Sequence, residues 1–209
     1  MSPSAATGGS TEGRQERARS RTALIAAAGA GAVSASPLFR WFLSGGSAEA
    51  ASKAGDARIL QLVLQLEYTQ VAFYQQALRD AGLGGDLREF AQTALGHERQ
   101  HLAAIKRALG AKAGPKPTFD FGTKTRSPDA FRKAAVELED IAVAGYNGQA
   151  TNLTKATLAA AADIVSVEAR HAAWVRALGG EVAAPDPVDK PMTASQVVAG
   201  LQKIGLRTR

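Results

Sequence analysis

From Asp56 onward, apolar residues recur every three or four positions, the spacing that buries one face of an α-helix. Four such segments can be drawn. The first runs from about Asp56 to Arg79 and stops at Ala81-Gly82; the second opens at Asp86-x-x-Glu89, read as a capping box, and ends at Gly110. The third begins at Ser127-Pro128, an N-cap followed by proline in the first turn, and continues to about Gln149. The fourth spans about Thr154 to Leu178 and is closed by Gly179-Gly180. Each holds more than 20 residues, hence roughly 30 to 36 Å of helix. The first and third connections are short, whereas Ala111 to Arg126 is long and carries Gly114, Pro115, Pro117 and Gly122. At about 3.3 Å per residue, that stretch can run the whole length of such a helix. Short, long, short predicts an all-α four-helix bundle over residues 55–180 with one long crossover between helices 2 and 3. Residues 181–209 form a tail with Pro185, Pro187 and Pro191, then Thr193-x-x-Gln196 as a capping box for a short C-terminal helix to about Ile204.

The two halves of the bundle repeat one another. Leu66-Glu67 with Val71-Ala72-x-Tyr74 on the first helix matches Leu138-Glu139 with Val143-Ala144-x-Tyr146 on the third, 72 residues later. Glu98-x-x-His101 on the second helix matches Glu168-x-x-His171 on the fourth, 70 residues later. Both are followed by an apolar residue four positions on (Ile105, Val175) and by a closing glycine (Gly110, Gly180). Glu67 interrupts the apolar stripe Leu60, Leu64, Val71, Tyr74 and Leu78, and Glu98, Glu139 and Glu168 interrupt the corresponding stripes of the other helices. The pattern therefore points four carboxylates into the core. Burying them near one another is costly unless they are protonated or neutralised. Two divalent cations supply four positive charges against four negative ones.

Composition narrows the chemistry. The chain has 209 residues, 45% hydrophobic and 21% charged, enough for one domain with a core and too few for two. Cysteine is absent, which excludes disulfides, a thiol nucleophile, Cys-type zinc fingers, iron-sulfur clusters and rubredoxin-type iron. Metal chemistry must then use His, Asp and Glu, and only three histidines exist, His97, His101 and His171. The net charge of +6 is matched by one stretch, residues 106–133, where eight Lys and Arg face only Asp120 and Asp129. Without interleaved stacking aromatics at a recognisable nucleic-acid fold, this reads as a solvated stretch, and no nucleic-acid partner is expected.

Residues 1–54 read as an export segment and linker. Arg14, Arg17, Arg19 and Arg21 precede an uncharged run from Thr22 to Phe39, with the Ala-rich apolar part at Ala23 to Val33. Ala48-Glu49-Ala50 and Val33-Ser34-Ala35 both fit a cleavage site, and Arg19-Ser20-Arg21 resembles a twin-arginine signal with its pair split. The expected location is extracytoplasmic, in the cell envelope, with membrane association through this segment if it stays uncut.

One Glu from each of two helices and one Glu-x-x-His from each of the other two is the ligand set of di-iron and di-manganese carboxylate proteins. The chain resembles the ferritin-like superfamily, and within it the bacterial ferritin-like and plant desiccation-related group. LQLEYTQVAFY, Phe119-Asp120-Phe121 in the crossover, LEDIAVAGYNGQA and SVEARHAA are similar to that group's motifs, and the match covers about residues 55 to 190. The resemblance implies that Glu67 and His101 hold one metal, Glu139 and His171 the other, and that Glu98 and Glu168 bridge. It makes Tyr74 and Tyr146, each seven residues after a ligand Glu, candidates for a redox role beside the centre. The implied cofactors are two Fe ions, alternatively Mn, per chain. The implied activity is ferroxidase or peroxidase chemistry with O2 or H2O2 in stress protection. The missing cysteines exclude a fused rubredoxin donor, so electrons come from Fe²⁺ itself or an external donor. The group's name also implies an alternative, a metal-stabilised structural protein of the envelope that protects during drying. A homo-dimer and a larger homo-oligomer both fit the resemblance.

A rival motif is His97-Glu98-Arg99-Gln100-His101, literally the HExxH of zinc proteases. The duplicated half keeps Glu168 and His171 but has Val167 where His97 stands, so the repeated unit is ExxH. His97 is accordingly placed outside the ligand set. Glu137 and Asp140 flank Glu139 on other faces of its helix and are assigned to surface pairs, Lys133 with Glu137 among them.

Overall fold

The computed structural model describes residues 54–207. The export segment, its twin-arginine resemblance and its two cleavage sites lie outside the described residues. Among the described residues no helix is long and apolar enough to cross a membrane.

Four long helices carry the fold, α1 Ala54–Asp80, α2 Gly85–Leu109, α3 Pro128–Gln149 and α4 Lys155–Leu178, followed by the shorter α5 Ala194–Ile204. At 22 to 27 residues each, the four long ones extend about 33 to 40 Å. α1 packs along α2 and α3 along α4, and the two hairpins meet through α1 with α3 and α2 with α4. α5 lies mainly on α3. This is the all-α bundle with one long crossover that the periodicity predicts.

The helix ends show how local chemistry sets the boundaries. Ser127 caps α3 by accepting from the Ala130 N–H at 3.3 Å, with Pro128 at the first helical position. Thr193 and Gln196 form the expected reciprocal capping box at α5. The box expected at Asp86 and Glu89 does not form. The N-cap of α2 is Gly84, no side chain caps it, and Asp86 lies exposed inside the first turn. Gly84 and Gly85 bring the chain round without a side-chain cap, and Asp86 then only complements the positive end of the helix dipole. At α4 the cap comes from a distant element. Buried Asp56 of α1 accepts from the Thr154 N–H at 3.0 Å and from the Thr154 and Thr157 hydroxyls at 2.6 and 2.8 Å.

The crossover is not merely extended. It contains short 3₁₀ turns at Gly110–Lys112 and Gly122–Thr125 and a two-residue strand, β1 Thr118–Phe119, which pairs antiparallel with β2 Leu206–Arg207. Gly205 makes this clasp close. Its φ is +152°, and a Cβ there would lie 2.6 Å from the Asp120 carbonyl oxygen. The tail before α5 also lies tight on the bundle. Met192 donates its N–H to the Ala144 oxygen at 2.9 Å, over Gly148, where a Cβ would strike the Met192 backbone.

Of the surface pairs expected, one changes partner and one forms. Lys133 pairs with Asp129 at 2.9 Å, one turn back, and not with Glu137, which is exposed. Glutamate four residues on was the wrong partner, because an acid in the first turn is also favoured by the helix dipole. Asp140 pairs with Arg176 of α4.

The core is layered along the bundle axis. At one level Phe73, Tyr74, Phe90 and Phe131 pack ring to ring at centroid distances of 5.4 to 6.4 Å, with Trp174 against Phe90 at 5.3 Å. At another Leu60, Val63, Ile105 and Ile164 form an aliphatic layer. On α1, Glu67 falls between Val63 and Phe73.

Candidate metal centre

Each long helix contributes to one polar cluster between those layers. Glu67 comes from α1, Glu98 and His101 from α2, Glu139 from α3, and Glu168 and His171 from α4. The i, i+3 spacing of each ExxH sets its carboxylate and imidazole on the same side of the helix. All four carboxylates are fully buried, and the two histidines nearly so.

The imidazoles order the cluster. His101 Nδ1 lies 2.9 Å from Glu168 Oε1, 3.0 Å from Glu98 Oε2 and 3.7 Å from Glu67 Oε2. His171 Nδ1 lies 3.1 Å from Glu98 Oε1, 3.4 Å from Glu139 Oε2 and 3.9 Å from Glu168 Oε2. Two groups result, Glu67, Glu98, His101 and Glu168, and Glu98, Glu139, Glu168 and His171, with the ligand-type atoms of each group within 4.8 Å of one another. Either could hold a metal ion. Glu98 and Glu168 belong to both. Glu67 Oε2 is buried without a hydrogen-bond partner, a costly state for a side chain alone.

The tyrosines cross. Tyr146 of α3 donates to Glu67 Oε1 of α1 at 2.6 Å, and Tyr74 of α1 donates to Glu139 Oε1 of α3. Both phenols are buried, and their own pKa values are pushed well up, by burial first and then by the charge of the carboxylate each one faces.

Charge is shared unevenly among the side chains. Burial pushes Glu67 well above the usual carboxylate range and Glu139 up to about 8, with the charge of Glu168 adding to both. Burial would raise Glu98 too, but the charge of His101 and hydrogen bonds from His101 and His171 hold it down at about 2. Burial works to lower the two histidines and is outweighed. The Glu98 charge and bonds to Glu168 and Glu98 push His101 well up, and bonds to Glu139 and Glu98 push His171 well up. The side chains alone thus favour protons on both imidazoles and on Glu67 and Glu139, which offsets the crowding of four carboxylates.

Two further residues belong to the site. Gln70 is fully buried and donates Nε2 to Glu168 Oε2 at 2.8 Å, with both Glu139 oxygens at 3.4 Å. It was not singled out in the sequence, although its place three residues after Glu67, on the same face of α1, was a usable signal. His97 joins neither metal-capable group. Its Nδ1 lies 2.9 Å from His171 Nε2, so it meets a histidine of the other hairpin and does not pair with His101 around an ion as HExxH would require.

The family model for ferritin-like domains matches residues 55–181, more than half of the chain. No curated protein matches it.

Proposed function

The chain belongs to the ferritin-like domain family, and from that premise we propose that it holds two first-row metal ions, iron or manganese, for ferroxidase or peroxidase chemistry on O2 or H2O2. Glu67 and His101 serve one ion, Glu139 and His171 the other, and Glu98 and Glu168 serve both. The observation that carries this reading is the sharing of Glu98 and Glu168 between two buried groups of the same composition. The donor set fits such ions, because carboxylate oxygens and imidazole nitrogens suit first-row divalent metals, and buried Glu67 Oε2 lacks another partner.

A bound pair of ions supplies a redox couple and Lewis acidity. The chain's own residues do the rest. Tyr74 and Tyr146 orient Glu139 and Glu67 and hold a proton at each of those carboxylates. Gln70 fixes Glu168 beside Glu139. Buried aromatic and aliphatic side chains flank the cluster, and an apolar surround strengthens the charge interactions within it. On the pattern of residues 1–54, the reading places this chemistry outside the cytoplasm, in stress protection.

The test is metal analysis of protein from its native compartment, followed by O2 and H2O2 consumption with Fe²⁺. Two ions per chain with Fe²⁺-dependent consumption is the expected result. Two ions without consumption leaves a metal-stabilised structural protein, and protein that takes up no ion overturns the reading.

A further inference from the structure

Two polar residues that bond cluster side chains have apolar counterparts in the other half. His97 corresponds to Val167 in the other half, and Gln70 corresponds to Ala142. Gln70 reaches Glu139 and Glu168, and His97 reaches His171. Both therefore support the group built on Glu139 and His171.

The His97–His171 contact is a directed hydrogen bond. The ring planes are within 8° of parallel and the centroids are 5.2 Å apart, which is the 2.9 Å N···N distance plus one ring radius at either end. The rings therefore lie edge to edge and nearly coplanar, each nitrogen aimed along the lone-pair direction of the other, and are not face to face. His171 turns Nδ1 to Glu98, Glu139 and Glu168. An imidazole that ligates through Nδ1 must carry its one proton on Nε2, and here Nε2 meets His97 Nδ1, so His97 is the acceptor. A partner on the far nitrogen fixes the tautomer and the ring orientation and makes the ligating nitrogen a better donor.

Resting on the two-metal reading above, we propose that the two metal positions are unequal. The position of Glu139 and His171 is the tighter and fills first, with His97 as the positioning residue that sets His171. His97 is half-buried on α2, so it also ties the two hairpins together at the centre.

Titration of the full chain with Co²⁺, followed by its visible spectrum and by calorimetry, reads both positions. Wild-type protein is expected to bind two Co²⁺ with distinct affinities. His97→Val, which installs the residue of the other half, is expected to weaken the tighter position about 10–100-fold and to leave the weaker one unchanged. His97→Asn keeps an acceptor where Nδ1 stood and is expected to recover most of that loss. Two equal affinities in wild type, no change in His97→Val, a change at the weaker position instead, or equal behaviour of the Val and Asn variants would each overturn the proposal. Failure of wild-type protein to bind Co²⁺ at all would instead overturn the two-metal reading. Should His97→Val not fold, nitrogen NMR of wild-type protein loaded with Zn²⁺ decides. A slowly exchanging ring proton on His171 Nε2 is expected, and a proton on His97 Nδ1 in its place overturns the assignment.

Discussion

Tyr146 holds Glu67 across the bundle, donating its phenol proton at 2.6 Å to a carboxylate on a helix of the other hairpin. Tyr74 and Glu139 repeat the relationship in the opposite direction. Each tyrosine lies on the same helix as one of these carboxylates yet bonds the other one, so α1 and α3 are fastened together at the centre itself. The two hairpins cannot slide past each other without breaking both bonds.

Tyr146→Phe leaves a buried oxygen of Glu67 without its donor. A loss of about 1–3 kcal/mol is expected for a hydrogen bond to a charged or buried group, with weaker metal binding at the Glu67–His101 position. Urea unfolding and metal titration measure the two effects. A one-electron role for either phenol would appear as a tyrosyl signal after oxidation by H2O2, absent in the matching phenylalanine variant.

Glu98→Ala and Glu168→Ala are each expected to remove more than one metal equivalent, because each carboxylate reaches both groups. Glu67→Ala is expected to remove about one. Metal-to-protein ratios after gel filtration check this. Two ions retained in either of the first two variants sinks the shared role.

The side chains alone favour mildly acidic conditions. Glu67, Glu139, His101 and His171 all have folded-state pKa values above their ordinary ones. Their stabilising contribution is complete below the ordinary values and is lost as pH rises through the folded ones, a window that includes about 8 for Glu139. Glu98 works in the other direction, its contribution fading as pH falls from the ordinary carboxylate range to about 2. Chelator-treated protein should therefore melt several degrees higher near pH 5 than near pH 8. With metal saturating, the order should reverse, since protons compete for the ligand atoms at low pH. A melting temperature that ignores both chelator and pH would mean that the carboxylates are not clustered.

Gly205→Ala is expected to cost about 1–3 kcal/mol, the range for strained backbone, because φ is +152° and the new Cβ meets the Asp120 carbonyl. Metal stoichiometry should stay at the wild-type value, since neither Gly205 nor Asp120 belongs to a metal-capable group. Thermal unfolding and metal analysis separate the two.

The helices and the carboxylate stripe were legible because both rest on short-range periodicity, repeated twice in the chain. Ser127-Pro128 and Thr193-x-x-Gln196 were legible for the same reason, since a cap acts within one turn. What was missed depends on residues far apart in sequence. The cap that Asp56 provides for α4 spans 98 residues, and the pairing of Thr118 with Arg207 joins two segments too short to carry a strand pattern. Gln70 is not legible in the sequence from its residue type, because glutamine on a helix usually faces water, and its inward place shows only once Glu139 and Glu168 are beside it. Asp86 satisfied the capping pattern, but the glycines before it took the N-cap position.

The β1–β2 clasp also bears on how the molecule is made. The α1–α2 and α3–α4 hairpins join residues close along the chain and can form while translation continues, but the clasp joins positions 89 apart and must close late. Until Leu206 and Arg207 have emerged from the ribosome, the strap between the hairpins has no strand to pair with. A chain lacking Leu206 and Arg207 is expected to be cleaved faster at the crossover than the full chain, a difference that limited proteolysis measures. Resistance to cleavage between Gly110 and Ser127 should therefore appear only once β2 has paired with β1.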